Sequence, residues 1–119
     1  MTREFVVIPS FQVKWKNLGL DENDMRRLEQ EILENPKVGQ VMRDTDGVRK
    51  MRFAFENRGK SGSVRIIYVD FEIYEKVYLI DAYQKSEKDN LTKSERNDMK
   101  KIVELIELQL EVKKEGGHS

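Results

Sequence analysis

The segment formed by residues 64–71, VRIIYVDF, constrains the fold most, because it is apolar at nearly every position. A strand that faces solvent on one side normally alternates apolar with polar side chains. A continuous apolar run of this length is instead typical of a strand whose two faces are both covered. The sequence therefore predicts that residues 64–71 form a central strand covered on both sides.

Three further strands are predicted at residues 4–8, 48–55 and 76–83, which are rich in β-branched, aromatic and alternating apolar residues. The last two flank the central strand and join it through the short segments ENRGKSGS and EIYEK. Connections this short favour antiparallel hairpins. Residues 36–46, PKVGQVMRDTD, are predicted to be a connector.

Helices are predicted at residues 11–18, 22–35 and 93–112 from apolar residues at helical spacing. Asp21 is a suitable N-cap for the second helix, which should stop at Asn35 because Pro36 follows. Thr92 and Glu95 form a capping-box pattern before the third helix. The expected fold class is α+β: a small twisted antiparallel sheet with two N-terminal helices and a C-terminal helix packed on it.

Length and composition set further limits. A chain of 119 residues forms one domain, expected at residues 1–112 and followed by a flexible tail at residues 113–119. There is no cysteine, and the single histidine, His118, lies in that tail. Serine–histidine and cysteine–histidine catalysis and zinc chemistry are therefore excluded, and neither a metal nor a cofactor is expected. No apolar run reaches the ~18 residues that a membrane span needs, so we expect a cytoplasmic protein.

Positive charge is concentrated in residues 47–65, GVRKMRFAFENRGKSGSVR, although the formal net charge of the chain is zero. This stretch contains six cations and one acid, Glu56. Such a concentration on a hairpin predicts an anion-binding site. The six cations are Arg49, Lys50, Arg52, Arg58, Lys60 and Arg65.

Strand alternation assigns these cations to faces. In residues 48–55, Met51 and Phe53 should point into the core, which leaves Lys50 and Arg52 on the other face. In residues 76–83, Ile80 and Ala82 should point inward together, which puts Tyr83 and Lys85 opposite them. Lys50, Arg52, Arg65, Tyr83 and Lys85 are therefore predicted to converge on one surface.

A cluster of cations with a tyrosine suits phosphate, because arginine binds phosphate oxygens at two points and lysine acts as a compact charge. Cleavage of RNA by its own 2′-hydroxyl needs a base, stabilisation of the crowded phosphate and an acid. Lysine or tyrosine among other cations could transfer protons, because neighbouring positive charges lower their pKa values. A basic face that only binds RNA or an acidic protein segment is an equally good interpretation of the spacing alone.

Four segments, NPKVGQVM, D-GVRKMRF, GKSGSVRIIYV and VYLIDAYQKSEKDNLTKSE, occur in an order that resembles the RelE superfamily of toxins from toxin–antitoxin pairs. The resemblance is strongest to its HigB-like branch and covers about residues 20–95. It implies a RelE-like twisted antiparallel sheet with helices on one side. It also implies a metal-independent endoribonuclease that cleaves mRNA in the decoding site of the ribosome and so inhibits translation.

The resemblance also implies roles for individual residues and partners. Lys50 and Arg52 match the family's basic pair, Arg65 its phosphate-binding arginine, and Lys85 its last basic residue, with Tyr83 beside it. Arg49, Arg58 and Lys60 are expected to contact RNA outside the reaction centre, although Arg49 lies on the other side of its strand. The expected partners are the ribosome, mRNA and a HigA-like helix-turn-helix antitoxin. Two alternatives remain, a non-catalytic RNA- or protein-binding module and a gyrase-inhibiting toxin on the same fold.

Overall fold

The structure of the chain is a computed structural model that describes residues 2–54, 63–87 and 90–116, with no description of the side chains of residues 114–116. A short 3₁₀ helix at Glu72–Tyr74 connects the last two strands. The other elements, in chain order, are β1 (Glu4–Val7), α1 (Pro9–Asn17), α2 (Glu22–Glu34), β2 (Gln40–Val41), β3 (Arg49–Ala54), β4 (Ser63–Phe71), β5 (Lys76–Gln84) and α3 (Lys93–Gly116).

The strands form one mixed sheet in the order β1-β5-β4-β3-β2. As the sequence predicts, β4 is central and pairs antiparallel with both β3 and β5. The expectation of a wholly antiparallel sheet is wrong for β1, which runs parallel to β5 with Glu4 opposite Lys76. The predicted connector also contains a strand, because β2 pairs antiparallel with the start of β3.

Helices cover both faces of the sheet. Phe11 and Trp15 of α1 and Leu28 of α2 pack in one buried cluster with side chains of β3, β4 and β5. Val103 and Ile106 of α3 belong to a second buried cluster, on the other face. Helices on one side only, which the resemblance implied, are therefore a wrong expectation. The prediction that β4 is covered on both faces is confirmed, because its alternate side chains enter the two clusters.

Capping interactions fix the starts of the two longer helices. The Asp21 carboxylate accepts from the backbone N–H of Asp24, whose carboxylate accepts in return from the N–H of Asp21. Thr92 and Glu95 form the same reciprocal pair before α3. Such caps satisfy backbone donors that the first helical turn leaves without partners. The third helix extends to Gly116, four residues beyond its predicted end at Val112.

The edge strand β1 is held by more than its ladder. Arg3, directly before it, donates to both carboxylate oxygens of Asp70 on β4, at 2.7 and 3.3 Å. This ion pair raises the pKa of the Arg3 guanidinium, and its hydrogen bond to Asp70 is the main cause. Within residues 2–54, 63–87 and 90–116, no helix is both long and apolar enough to span a membrane.

Candidate active site

Three of the predicted site residues lie in one row across the sheet. Arg52 of β3 is directly opposite Arg65 of β4, which is in turn directly opposite Tyr83 of β5. Directly opposed residues in an antiparallel ladder project to the same face, so this row points toward the side that α3 covers. Lys50 shares this face because it lies two residues before Arg52.

Lys50, Arg52 and Arg65 line one open pocket of about 560 Å³, together with Val38, Gln40 and Met51. Arg52 is exposed, Lys50 is half-buried, and Arg65 is only 5 % exposed. No carboxylate is present among the described residues that line this pocket. The structure therefore brings three of the five predicted catalytic residues together around a single cavity of one charge sign.

Arg65 is held in place by Ser63, two residues earlier on the same strand. One guanidinium nitrogen of Arg65, Nη1, donates to the Ser63 hydroxyl at 2.9 Å. Ser63 is not among the predicted site residues, although its spacing from Arg65 places both on one face. A hydroxyl acceptor orients the guanidinium without neutralising it, so the positive charge remains available to an anion.

Tyr83 lies on the predicted face, opposite Ala82, but it is not on an open surface. Its ring is 4 % exposed in the cluster under α3, and its hydroxyl oxygen is buried. The predicted alternation of β5 is wrong because the ladder with β4 is irregular between Ile67 and Tyr68. This bulge puts Ile80 on the face of Tyr83, whereas Ala82 enters the cluster on the other face.

Lys85 lies one residue beyond β5, and its backbone N–H donates to the Ser63 carbonyl at 3.3 Å. This bond places Lys85 next to the row of Arg52, Arg65 and Tyr83. Its side chain is exposed and does not line the pocket described above. Lys85 is therefore near the pocket without being part of its wall.

Of the three residues predicted to contact RNA, the structure describes only Arg49. This residue is opposite Tyr68 on the other face of the sheet, and its Nη1 donates to the Gly39 carbonyl at 2.7 Å. That contact gives Arg49 a structural task, and its assignment to RNA binding stays a prediction. Arg58 and Lys60 lie outside the described residues.

The segment before β2 is fixed to the sheet by Tyr68. The Tyr68 hydroxyl donates to the Pro36 carbonyl at 2.8 Å and accepts from the Gly39 N–H at 2.9 Å. Burial raises the pKa of the Tyr68 hydroxyl, against an opposing effect of the Gly39 hydrogen bond. Gly39 is needed here for space, because a Cβ on it would lie 2.9 Å from Cε1 of Tyr68. These contacts position β2 and with it one wall of the pocket.

Gln40 is a pocket residue that the sequence analysis missed. It lies on β2 directly opposite Lys50, so its side chain belongs to the same face as the cation row. A strand of two residues has no alternation from which a face could be assigned, which explains the omission. Gln40 adds a neutral amide to a pocket that otherwise contains cations and apolar groups.

The direct pairing of Arg52 with Arg65 across the sheet determines which ligands the site favours. Like charges directly opposite each other destabilise a sheet by about 0.2–1 kcal/mol. Arginine forks bind phosphate oxygens in two-point fashion, and a bound phosphate would offset this repulsion. The arrangement thus suits binding of a phosphodiester and stabilisation of negative charge that develops on it.

Comparisons with known proteins bear on the family and the fold of this chain. A family model described as the RelE toxin of the RelE/RelB toxin–antitoxin system matches residues 20–115. A solved structure of the E. coli toxin RelE, a mutant with two arginines changed to alanine in the free state, is similar with a TM-score of 0.52. The two sequences are 15 % identical, and the match covers 75 % of this chain and 90 % of that chain. At this identity the likeness concerns the fold.

Proposed function

This chain belongs to the RelE family of toxins from toxin–antitoxin systems, and from that premise we propose that it is a ribosome-dependent endoribonuclease. It would cleave mRNA in the decoding site and thereby inhibit translation. Within the family, the motifs discussed above favour the HigB-like branch.

The observation that supports this proposal best is the pairing of Arg52 with Arg65 on one face, beside Lys50. In the proposed reaction the 2′-hydroxyl of one nucleotide attacks the neighbouring phosphorus. The bond to the 5′-oxygen of the next nucleotide breaks, which leaves a 2′,3′-cyclic phosphate and a free 5′-hydroxyl. Arg52 and Arg65 would stabilise the extra negative charge on the phosphate oxygens during this step.

Proton transfer is assigned to Lys50, Lys85 or Tyr83. Lys50 lines the pocket, and a rotation of its exposed end away from Asn90, which accepts from Nζ at 3.4 Å, would bring the amine to a phosphate there. Tyr83 would need a side-chain movement to bring its buried hydroxyl to the substrate. The exposed Lys85 could approach from the end of β5. The geometry therefore favours the two lysines over the tyrosine.

Metal independence, the antitoxin and the other partners are proposed from the resemblance to the family. A metal-independent reaction fits a pocket in which cations already supply the positive charge. The cognate antitoxin would be a HigA-like helix-turn-helix protein that covers the basic face or blocks entry to the ribosome. The ribosome would be a partner and mRNA the substrate, so the protein would act in the cytoplasm. Arg49, Arg58 and Lys60 would contact RNA outside the reaction centre.

Induced expression in bacteria, followed by primer extension on translated mRNA, tests the proposal. The wild type should stop growth and produce cleaved mRNA, whereas Arg65→Ala should lower the cleavage rate by roughly 10²–10³-fold, as for loss of one transition-state donor. Arg26→Ala is the matched control, because the Arg26 side chain on α2 is 73 % exposed. It should stay fully toxic.

Two results would contradict the nuclease. Intact mRNA in cells that contain soluble wild-type protein, together with salt-sensitive RNA binding, would support a non-catalytic binding module. Growth arrest with intact mRNA and inhibited DNA supercoiling would support a toxin that acts on gyrase. Equal cleavage by the wild type and Arg65→Ala would remove Arg65 from the reaction centre.

A further inference from the structure

A second pocket lies beside the pocket of Lys50, Arg52 and Arg65, on the same face of the sheet. Its volume is about 390 Å³, within the range of about 300–1,000 Å³ typical of small-ligand sites. Gln40 and Lys50 line both pockets, so the two cavities are neighbours. A strand bound at Arg52 and Arg65 could therefore continue past Lys50 into the second pocket.

The second pocket is also positively charged. Arg43 and Arg96 line it in addition to Lys50, and the described lining residues include no carboxylate. Arg96 is half-buried, and its Nη1 donates to the Leu91 carbonyl at 2.9 Å, which holds the guanidinium at the wall. The Arg43 side chain is 92 % exposed and lies 3.9 Å from its acidic neighbour Asp44. These two cations would attract a second phosphate of the same strand.

Two amide side chains, those of Gln40 and Asn90, also line the second pocket. Gln40 projects to the face of Lys50, and the Asn90 oxygen Oδ1 accepts from Nζ of Lys50 at 3.4 Å. An amide has both donors and acceptors, which allows it to distinguish the edges of different bases. Contacts from arginine or lysine to phosphate are independent of sequence. The second pocket thus combines backbone-binding cations with groups that read bases.

We propose that the second pocket holds the nucleotide next to the cleaved phosphate, on the same RNA strand. Arg43 and Arg96 bind its phosphate, and the Gln40 amide hydrogen-bonds to the edge of its base. This inference rests on the proposed function, because it requires an RNA strand in the first pocket. It makes Gln40 the residue that determines which sequences are cut, and Arg43 a residue that affects all sequences alike.

The inference is tested by mapping cleavage sites in a translating extract for the wild type, Gln40→Ala and Arg43→Ala. Gln40→Ala should lose preference at one nucleotide position beside the cut, by about 5- to 150-fold, the range for a bidentate amide–base contact. Its melting temperature should not change, because the Gln40 side chain is exposed. Arg43→Ala should raise KM for every sequence to a similar extent, retain kcat and reduce the salt slope of binding by about 1.

The outcomes separate this inference from the function on which it rests. If the wild type cleaves no mRNA on translating ribosomes, the proposed function fails, and the inference fails with it. If the wild type cleaves and Gln40→Ala cuts the same sites with the same preferences, the inference is wrong and the nuclease stands. Unchanged KM and salt slope in Arg43→Ala, with the Arg26→Ala control behaving as wild type, would also overturn it.

Discussion

Arg52 and Arg65 are directly opposed across the antiparallel pair of β3 and β4, and both residues line the same pocket. The neutral hydroxyl of Ser63 accepts a hydrogen bond from the Arg65 guanidinium. The sheet therefore maintains two neighbouring positive charges at a cost in stability. The stability of the free protein therefore depends on the repulsion within a site that suits an anion.

Replacing Arg52 by glutamine should separate stability from activity. The substitution removes the repulsion from Arg65 and should stabilise the protein by about 0.2–1 kcal/mol at low salt, while cleavage falls sharply. In about 1 M salt the Debye length is only about 3 Å, so the gain in stability should shrink. Urea denaturation at both salt concentrations measures the effect, and Arg26→Gln on α2 should show no gain. Lower stability of Arg52→Gln at low salt would contradict the repulsion.

Replacing Tyr68 by phenylalanine should loosen the segment that carries β2. The change deprives the Gly39 N–H of its acceptor and the Pro36 carbonyl of its donor in a buried site. The expected loss in the free energy of unfolding is about 1–3 kcal/mol, the cost of an unsatisfied buried group. Tyr78→Phe, on the neighbouring strand, is the matched control in the same urea titration. A loss as large for Tyr78→Phe would show that the hydrogen bonds of Tyr68 are not responsible.

Alkaline pH should destabilise the wild type through the same residue. Burial raises the pKa of the Tyr68 hydroxyl above its ordinary value of 10.0, so the folded protein retains this proton at a pH where the unfolded chain has lost it. The contribution of Tyr68 to stability is therefore complete below about pH 10 and is lost as the pH rises further. Unfolding free energies measured from about pH 8 to about pH 11 should fall less steeply for Tyr68→Phe. Parallel curves for the two proteins would contradict this.

Replacing Gly39 by alanine should disturb both the fold and the pocket. A Cβ there would lie 2.9 Å from Cε1 of Tyr68 and 3.1 Å from the carbonyl oxygen of Lys50. Overpacking of this kind costs about 1–3 kcal/mol. Cleavage should fall as well, because the displaced backbone carries Lys50. Lys37→Ala, an exposed change in the same segment, should alter neither quantity. Wild-type stability of Gly39→Ala would show that the segment moves away without cost.

The central strand and the cation pair were predictable because they depend on composition and alternation within single strands. The continuous apolar side chains of β4 required cover on two faces. The alternation in β3 placed Met51 and Phe53 in the core and Arg52 on the other face of the strand. Both patterns reflect the period of two in a strand, which is a local property. The structure agrees with each of them.

The direction of β1 and the faces of β5 were mispredicted because they depend on how distant segments meet. The pairing of β1 with β5 joins residues that are 72 positions apart, and residues 4–8 carry no signal for its direction. The bulge beside Ile80 arises in the ladder with β4, so the alternation of β5 alone could not reveal it. Tyr83 does lie on the face opposite Ala82, but α3 covers it, and the sequence of β5 carries no signal for that cover.

The parallel pairing of β1 with β5 also determines when the molecule can be completed during its synthesis. Glu4 leaves the ribosome before Lys76, its partner in the sheet, which is 72 positions later. Contacts between such distant segments slow folding, because a long loop must close before they form. The nascent chain therefore cannot finish its sheet until β5 has emerged. A toxin built in this way has an incomplete sheet throughout the synthesis of the residues between β1 and β5.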